Sequence, residues 1–456
     1  GPPPAPGRLD GFMKAFLPRT GAHVLYNLAL GSALLLASPA WVPWVLSSRK
    51  RRKNFPDRLG WRLDRVPPPS GKERIWIHAV SVGETLSSPP LIRALRRHLP
   101  EAEFLLSTVT ITGQETAEKV LGGETEARFY FPFDLPGISR RFLDRIRPDV
   151  VVILETEIWP NFLAECMERK IPAVLLNGRV SERSFGGYKR FRFLFSRALR
   201  CFEAIAVQTE EDARRFRSLG APPSKVAVTG NMKFDVAPRP QEQSSLYTLL
   251  LREKKNGTVW FVAGSTHERE EEAALCAFSR AREVNGSVKL LLAPRHPERF
   301  GYVEELCRRG GWEAVRKTRA PASNGSRLPP VVLLDTVGEL LAAYAAADIA
   351  FVGGSLVPKG GHNILEPALY GVPTLVGPHM ENFREIFEIF ADAGAVVPVR
   401  DATDLADRLA GWAADPSGAA ETGRRAKELL AAFRGATERN AGIVERELAR
   451  RRRGRG

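Results

Sequence analysis

The chain has 456 residues, 44% of them hydrophobic, and a formal net charge of +15. That size and apolar content exclude a disordered chain or a single small domain and accommodate two or three domains with their own cores. The charge calls for an anionic partner, while four scattered cysteines and seven histidines without CxxC, HxxxH or HExxH spacing give neither a disulfide framework nor a metal site.

Residues 1–7 are proline-rich and are set aside as a tag remnant or a flexible extension. Residues 20–48 carry no formal charge, and the run is long enough to enter or cross a bilayer, whose core takes roughly 20 apolar residues. It fits a transmembrane anchor, a monotopic segment bent at Pro39 and Pro43, or a signal peptide cleaved near Ala40, with a buried core helix as the alternative. The cluster Arg49, Lys50, Arg51, Arg52, Lys53 follows at once, which disfavours a signal peptide and suits the cytoplasmic side and anionic headgroups. Residues 1–53 are therefore expected to form an extension and membrane anchor.

After a proline-rich connector, apolar runs alternate with helical stretches: IWIHAV at 75, FLLST at 104, VVVIL at 150, AVLLN at 173, AIAVQ at 204 and VAVTG at 226. Strands apolar throughout belong to a parallel sheet covered on both faces. Residues 188–200 read as an amphipathic helix with its phenylalanines inside rather than a basic-aromatic nucleic-acid surface, so no nucleic acid is expected. Residues 235–257 read as a linker. A second set then begins, with VWFVAG at 259, VKLLLAP at 288, VVLLD at 331, IAFVGG at 349 and PTLVG at 373. The expectation is an α/β chain of two Rossmann-like domains, 54–240 and 241–425, with ligands at the carboxyl ends of the strands in a cleft between them. Residues 426–456 form a last helix, expected to pack back on the first domain, and a basic tail.

Polar residues collect at the strand ends. Glu84 follows the first strand, and Glu155 and Glu157 follow VVVIL, where neighbouring acids tune one another's pKa. A glutamate at a helix start also serves simply as a cap. In the second set, Ser265 and His267 follow one strand, Pro294, Arg295 and His296 the next, and Gly353, Gly354 and Ser355 a third. Arg295 suits a phosphate or carboxylate through its bidentate fork. Gly360 and Gly361 then lead to His362 and Asn363, an N-cap for a helix over 364–370. Glycines before a helix start attract anions, although Asn363-x-x-Glu366 also matches a capping box.

On these residues the chain resembles the Kdo transferases of lipopolysaccharide assembly. That family has the two-domain GT-B fold and moves 3-deoxy-D-manno-octulosonate (Kdo) from CMP-Kdo to a lipid A precursor. The motifs stand as HAVSVGE (78–84), ETEIWPN (155–161), SERS (181–184), TGNMKFD (229–235), GSTHERE (264–270), PRHPER (294–299), DTVGEL (335–340) and the stretch 353–383. The apolar N-terminus with RLGW (58–61) resembles the family's membrane segment. The resemblance implies Glu84 as general base and Glu155, Glu157 and Lys233 on the acceptor side or at the transition state. For CMP it implies Pro294, Arg295, Gly338, Glu339, Leu340, Asn363, Ile364, Leu365 and Glu366. It further implies an inverting, metal-independent transferase without a cofactor, with CMP-Kdo and lipid IVA as substrates, on the cytoplasmic face of the inner membrane among anionic lipids. The rivals are a GT-B transferase or epimerase using a UDP-sugar and a non-catalytic, membrane-tethered sugar-nucleotide binder.

Overall fold

The apolar runs form two seven-stranded parallel sheets in the computed structural model, which describes residues 21–235, 244–320 and 327–454. The chain divides into two compact units, Gly1–Asp235 with Arg434–Gly456, and Val236–Phe433.

In the first unit, β1 (Arg74–His78), β2 (Glu103–Thr108), β3 (Ala127–Tyr130), β4 (Val150–Leu154), β5 (Ala173–Gly178), β6 (Phe202–Val207) and β7 (Val226–Val228) lie in the order β3-β2-β1-β4-β5-β6-β7. Because side chains alternate along a strand, Trp76, Val151, Ile153 and Leu175 feed one core, and Ile75, Ile77, Val150, Val152 and Val174 feed the other. Fully apolar strands thus serve both faces. Trp76 anchors the first core, within 5.0 to 6.5 Å of the rings of Phe129, Phe131, Phe142 and Phe162.

The second unit holds β8 (Val259–Thr266), β9 (Val288–Pro294), β10 (Ala314–Arg316), β11 (Val331–Leu333), β12 (Ile349–Val352), β13 (Thr374–Val376) and β14 (Val397–Pro398), in the order β10-β11-β9-β8-β12-β13-β14. Phe261, Leu290, Leu292, Phe351 and Leu375 share one core there.

Four expectations are corrected. The C-terminal stretch is two helices, Pro416–Phe433 in the second unit and Ala436–Arg453 in the first. The break falls at Gly435, φ 92°, and Asp235 caps the return helix by accepting the N–H groups of Gly435 at 2.6 Å and Thr437 at 2.5 Å. Ala441, Val444 and Leu448 of that helix then complete the core under β1. Part of the expected linker is a helix, Ser245–Lys255, while residues 236–243, like 1–7, lie outside the described residues. The 188–200 stretch is broken, and Phe191 and Phe193 are half exposed instead of inside.

The fourth correction concerns the boundary at residue 53, because the N-terminal helices group with the first unit. Residues 21–46 fold as Gly21–Leu36 and Ser38–Leu46, and no helix among the described residues is long and apolar enough to cross a membrane. The first of these helices is tied to the unit by polar side chains. Tyr26 donates to Asp134 at 2.8 Å, and Asn27 and Asn161 exchange amide hydrogen bonds. Asp134 in turn accepts the N–H groups of Asn161 and Phe162 at the start of the helix Pro160–Glu168. Burial lifts its carboxyl to about 6 against these donors.

Candidate active site

In the first sheet the strand order reverses between β1 and β4. Loops leaving those two carboxyl ends part in opposite directions and open a crevice, and both bring acids to it.

After β1 the chain turns at Ser81 into the helix Val82–His98, with Glu84 as its third residue. The two form a complete capping box. Ser81 Oγ accepts the Glu84 N–H at 3.3 Å, and the Glu84 carboxylate accepts from the Val80 N–H at 2.7 Å, the Ser81 N–H at 3.3 Å and the Ser81 hydroxyl at 2.8 Å. Glu84 is 6% exposed, and burial raises its carboxyl, as does Glu155, against the pull of the cap bonds.

After β4, Glu155 takes φ 57°, unusual for a side chain with a Cβ, and stands 3.5 Å from Lys233 Nζ. Lys233 lies on a short 3-10 turn held by Asn231, whose side chain accepts the Lys233 N–H. Glu157 is pushed up to about 7, first by burial, then by Glu84 and Glu155, with Arg58 opposing. The structure therefore gathers Glu84, Glu155, Glu157 and Lys233 into one electrostatic cluster.

Two members were missed from sequence. Arg58 donates to the Phe131 carbonyl at 3.0 Å and sits over the Phe133 ring. Burial lowers it to about 10 against the attraction of Glu157. Its signal is RLGW (58–61), which the family resemblance places with the membrane segment. His78, stacked on Phe131 at 3.8 Å, is fully buried and held neutral, its value lowered to about 3 chiefly by that burial.

The second sheet reverses between β8 and β12, and its polar residues gather there. His267 follows β8 and His362 follows β12, with Nε2 atoms 3.0 Å apart. His296 packs edge-on to His267 at 5.2 Å. Arg295 and Lys359 are exposed, and both press on the His267 imidazole electrostatically. Pro294 ends β9, and the Arg295 N–H bonds to Thr266.

The glycine loop differs from expectation. Its N–H groups are already filled by a carboxylate of the chain itself: fully buried Glu270 accepts from Gly354 at 2.6 Å, Ser355 at 3.0 Å, Leu356 at 2.9 Å and His267 at 2.9 Å. Gly353 bonds to Gly264, and Ser355 is buried with its hydroxyl tied between Val352 and Gly377. These three residues shape the site and offer a ligand no loop N–H.

The helix after Asn363 is also shorter than expected, Leu365–Leu369. Asn363 accepts the Leu365 N–H at 3.1 Å and donates its side-chain amide to Glu366 at 3.3 Å, but the N-cap is Ile364, one residue later than expected. Ile364 and Leu365 are buried. Gly338 is exposed at φ 91°, just before the helix Leu340–Ala346. Glu339 is engaged by Thr336 and by Lys317 at 2.9 Å. Ser265 takes φ 56° near the end of β8. No group of three or more residues able to hold a metal occurs among the described residues.

Residues 53–236 match the family model described as 3-Deoxy-D-manno-octulosonic-acid transferase (kdotransferase). The 3-deoxy-D-manno-octulosonic acid transferase of Haemophilus influenzae is 33% identical over 92% of this chain and 98% of its own length. That of Bordetella pertussis is 34% identical over 92% and 98%. Among solved structures, the UDP-GlcNAc 2-epimerase of Neisseria meningitidis, 13% identical, superposes with a TM-score of 0.51 over 83% of this chain and all of its own, a likeness of fold alone. The C-terminal CMP-Kdo binding domain of WaaA from Acinetobacter baumannii is 32% identical, covering 40% of this chain and 98% of that one, with a TM-score of 0.36. With two parallel-sheet units of GT-B type and close relatives along nearly its whole length, the chain belongs to the 3-deoxy-D-manno-octulosonic acid transferase family of glycosyltransferases.

Proposed function

We propose that the chain transfers Kdo from CMP-Kdo to the lipid A precursor lipid IVA with inversion at the anomeric carbon, Glu84 deprotonating the acceptor hydroxyl. The observation that carries this reading is the acid cluster at the β1/β4 crevice, in which burial and mutual repulsion raise Glu84 and bring Glu157 to about 7. A general base works best near the operating pH. Lys233 and Arg58 balance the cluster so that an anionic acceptor is not repelled.

The donor joins cytidylate to a tertiary anomeric carbon beside a carboxylate. Its bond to phosphate loosens early, leaving an oxocarbenium-like centre and a departing anion. Arg295, Lys359 and the histidines supply the countercharge in this reading, so the rate is expected to be the same with a chelator present.

The donor half is tested by calorimetry and melting curves with CMP, UMP and UDP. CMP is expected to stabilise the chain and the uridine nucleotides to leave it unchanged; the reverse pattern favours a UDP-sugar enzyme. Arg295→Ala is expected to weaken CMP by about ten- to a hundredfold, the worth of a charged hydrogen bond, and unchanged affinity removes Arg295 from the site. Asn363→Ala, by contrast, is expected to lower stability by about 1 kcal/mol through loss of its hydrogen bonds to Leu365 and Glu366.

We further propose that the chain lies on the cytoplasmic face of the inner membrane without crossing it. Leu25, Leu28, Leu35, Leu36 and Leu46 are each more than half exposed on the N-terminal helices, and the basic cluster 49–53 follows them, a pairing suited to an anionic bilayer surface. Leu28→Glu with Leu35→Glu is expected to release the chain from anionic vesicles in flotation. Retention equal to the parent's contradicts the docking face.

A further inference from the structure

We infer that His267 and His362 act as a proton-sharing pair that clamps the donor's phosphate and takes up a proton on binding it. The inference rests on the donor reading above and adds to it a state of protonation and a linkage to pH.

The geometry comes first. The two Nε2 atoms are 3.0 Å apart and the rings lie within 2° of parallel, centroids 5.3 Å apart. One Nε2 must therefore carry a hydrogen and the other present its lone pair. The pair joins the loops after β8 and β12, the two strands between which the sheet reverses. Space for it is made by Gly354, at φ 69°, where a Cβ would lie 2.9 Å from His362 Cδ2 and 3.1 Å from its Nε2.

Proton counting follows. One added proton goes to the second nitrogen of the donating ring and leaves the N–H···N bond in place, now charge-assisted. A second would put hydrogens on both facing nitrogens and break the bond. The pair thus holds one positive charge at most.

Whether it holds that charge depends on its neighbours. His296, Arg295, Arg299 and Lys359 face it with positive or protonatable groups. Of the carboxylates around it, Glu270 is committed to backbone N–H groups and Glu271 to Arg299 at 3.1 Å, while Glu268 stands 4.0 Å from Arg299 and Glu298 3.7 Å from His296. Burial and these cations lower both imidazoles, His362 to about 4, so the unliganded pair is neutral at pH 7. A phosphate among the same cations reverses the balance and favours the charged pair. Binding that takes up a proton weakens as pH rises, by up to tenfold per pH unit between the free and the bound values of the pair.

The test is calorimetry of CMP with the 456-residue chain at about pH 7.5, in buffers of different ionisation enthalpy. At that pH the ligand's own second phosphate proton, with a pKa of about 6, contributes little. The expected result is uptake of about half to one proton per CMP bound. His267→Gln and His362→Gln, each checked by a melting curve, are expected to bind CMP about three- to tenfold more weakly and to cut the uptake by at least half. CMP binding without proton uptake by the parent, or uptake unchanged in both variants, overturns the inference and leaves the donor reading standing. A parent that binds no CMP overturns both.

Discussion

Glu84→Gln is expected to lower single-turnover transfer from CMP-Kdo by a factor of about 10² to 10⁴, the usual cost of losing a general base, with CMP affinity unchanged. The capping box adds a second effect. The Glu84 carboxylate accepts three hydrogen bonds from Val80 and Ser81, and an amide retains an acceptor on only one of its two atoms. The variant is therefore expected to melt lower as well. Ser81→Ala separates the two roles, because it removes the cap hydroxyl and keeps the carboxylate. Its expected cost is about 1 kcal/mol of stability, with transfer within tenfold of the parent. If Glu84→Gln also transfers within tenfold, Glu84 is not the base and the role falls to Glu155 or Glu157.

The second large effect concerns Glu157. Its folded value of about 7 lies above the ordinary 4.5 because burial and the other two acids disfavour its charge. Native protein thus binds more protons than unfolded chain between those values, and stability falls as pH rises from about 4.5 to 7. Glu157→Gln abolishes this penalty. It is expected to match the parent near pH 4 and to exceed it at pH 8 by roughly 1 to 3 kcal/mol, while losing transfer activity. Melting curves at the two pH values check this, and equal stability at pH 8 would show that Glu157 is not held in a disfavoured charged state.

The central strands were readable because each is apolar on both faces, as in VVVIL of β4, whose five residues are all buried. The strands that escaped notice, β3, β10 and β14, lie at sheet edges, with two to four residues that are half exposed or exposed. Edge positions ask for no apolar run, so periodicity had nothing to report. The acids after β1 and β4 were readable as residues at strand ends, and the capping alternative for Glu84 was visible in its place at a helix start. Glu270 was not. Its carboxylate reaches a loop 84 residues away and fills the N–H groups of Gly354, Ser355 and Leu356. Arg58 was hidden for a similar reason, since only the fold brings it beside Glu157.

The central claim is transfer of Kdo to a lipid A precursor, and weighing the products of one reaction tests it most directly. The 456-residue chain, with bacterial membranes lacking their own transferase, is incubated with CMP-Kdo and tetra-acylated lipid IVA, and the lipid is analysed by mass spectrometry. The account predicts lipid heavier by one or more whole Kdo units, with CMP released in equal number and the gain abolished in Glu84→Gln. Lipid IVA of unchanged mass beside a folded, CMP-binding chain would contradict it.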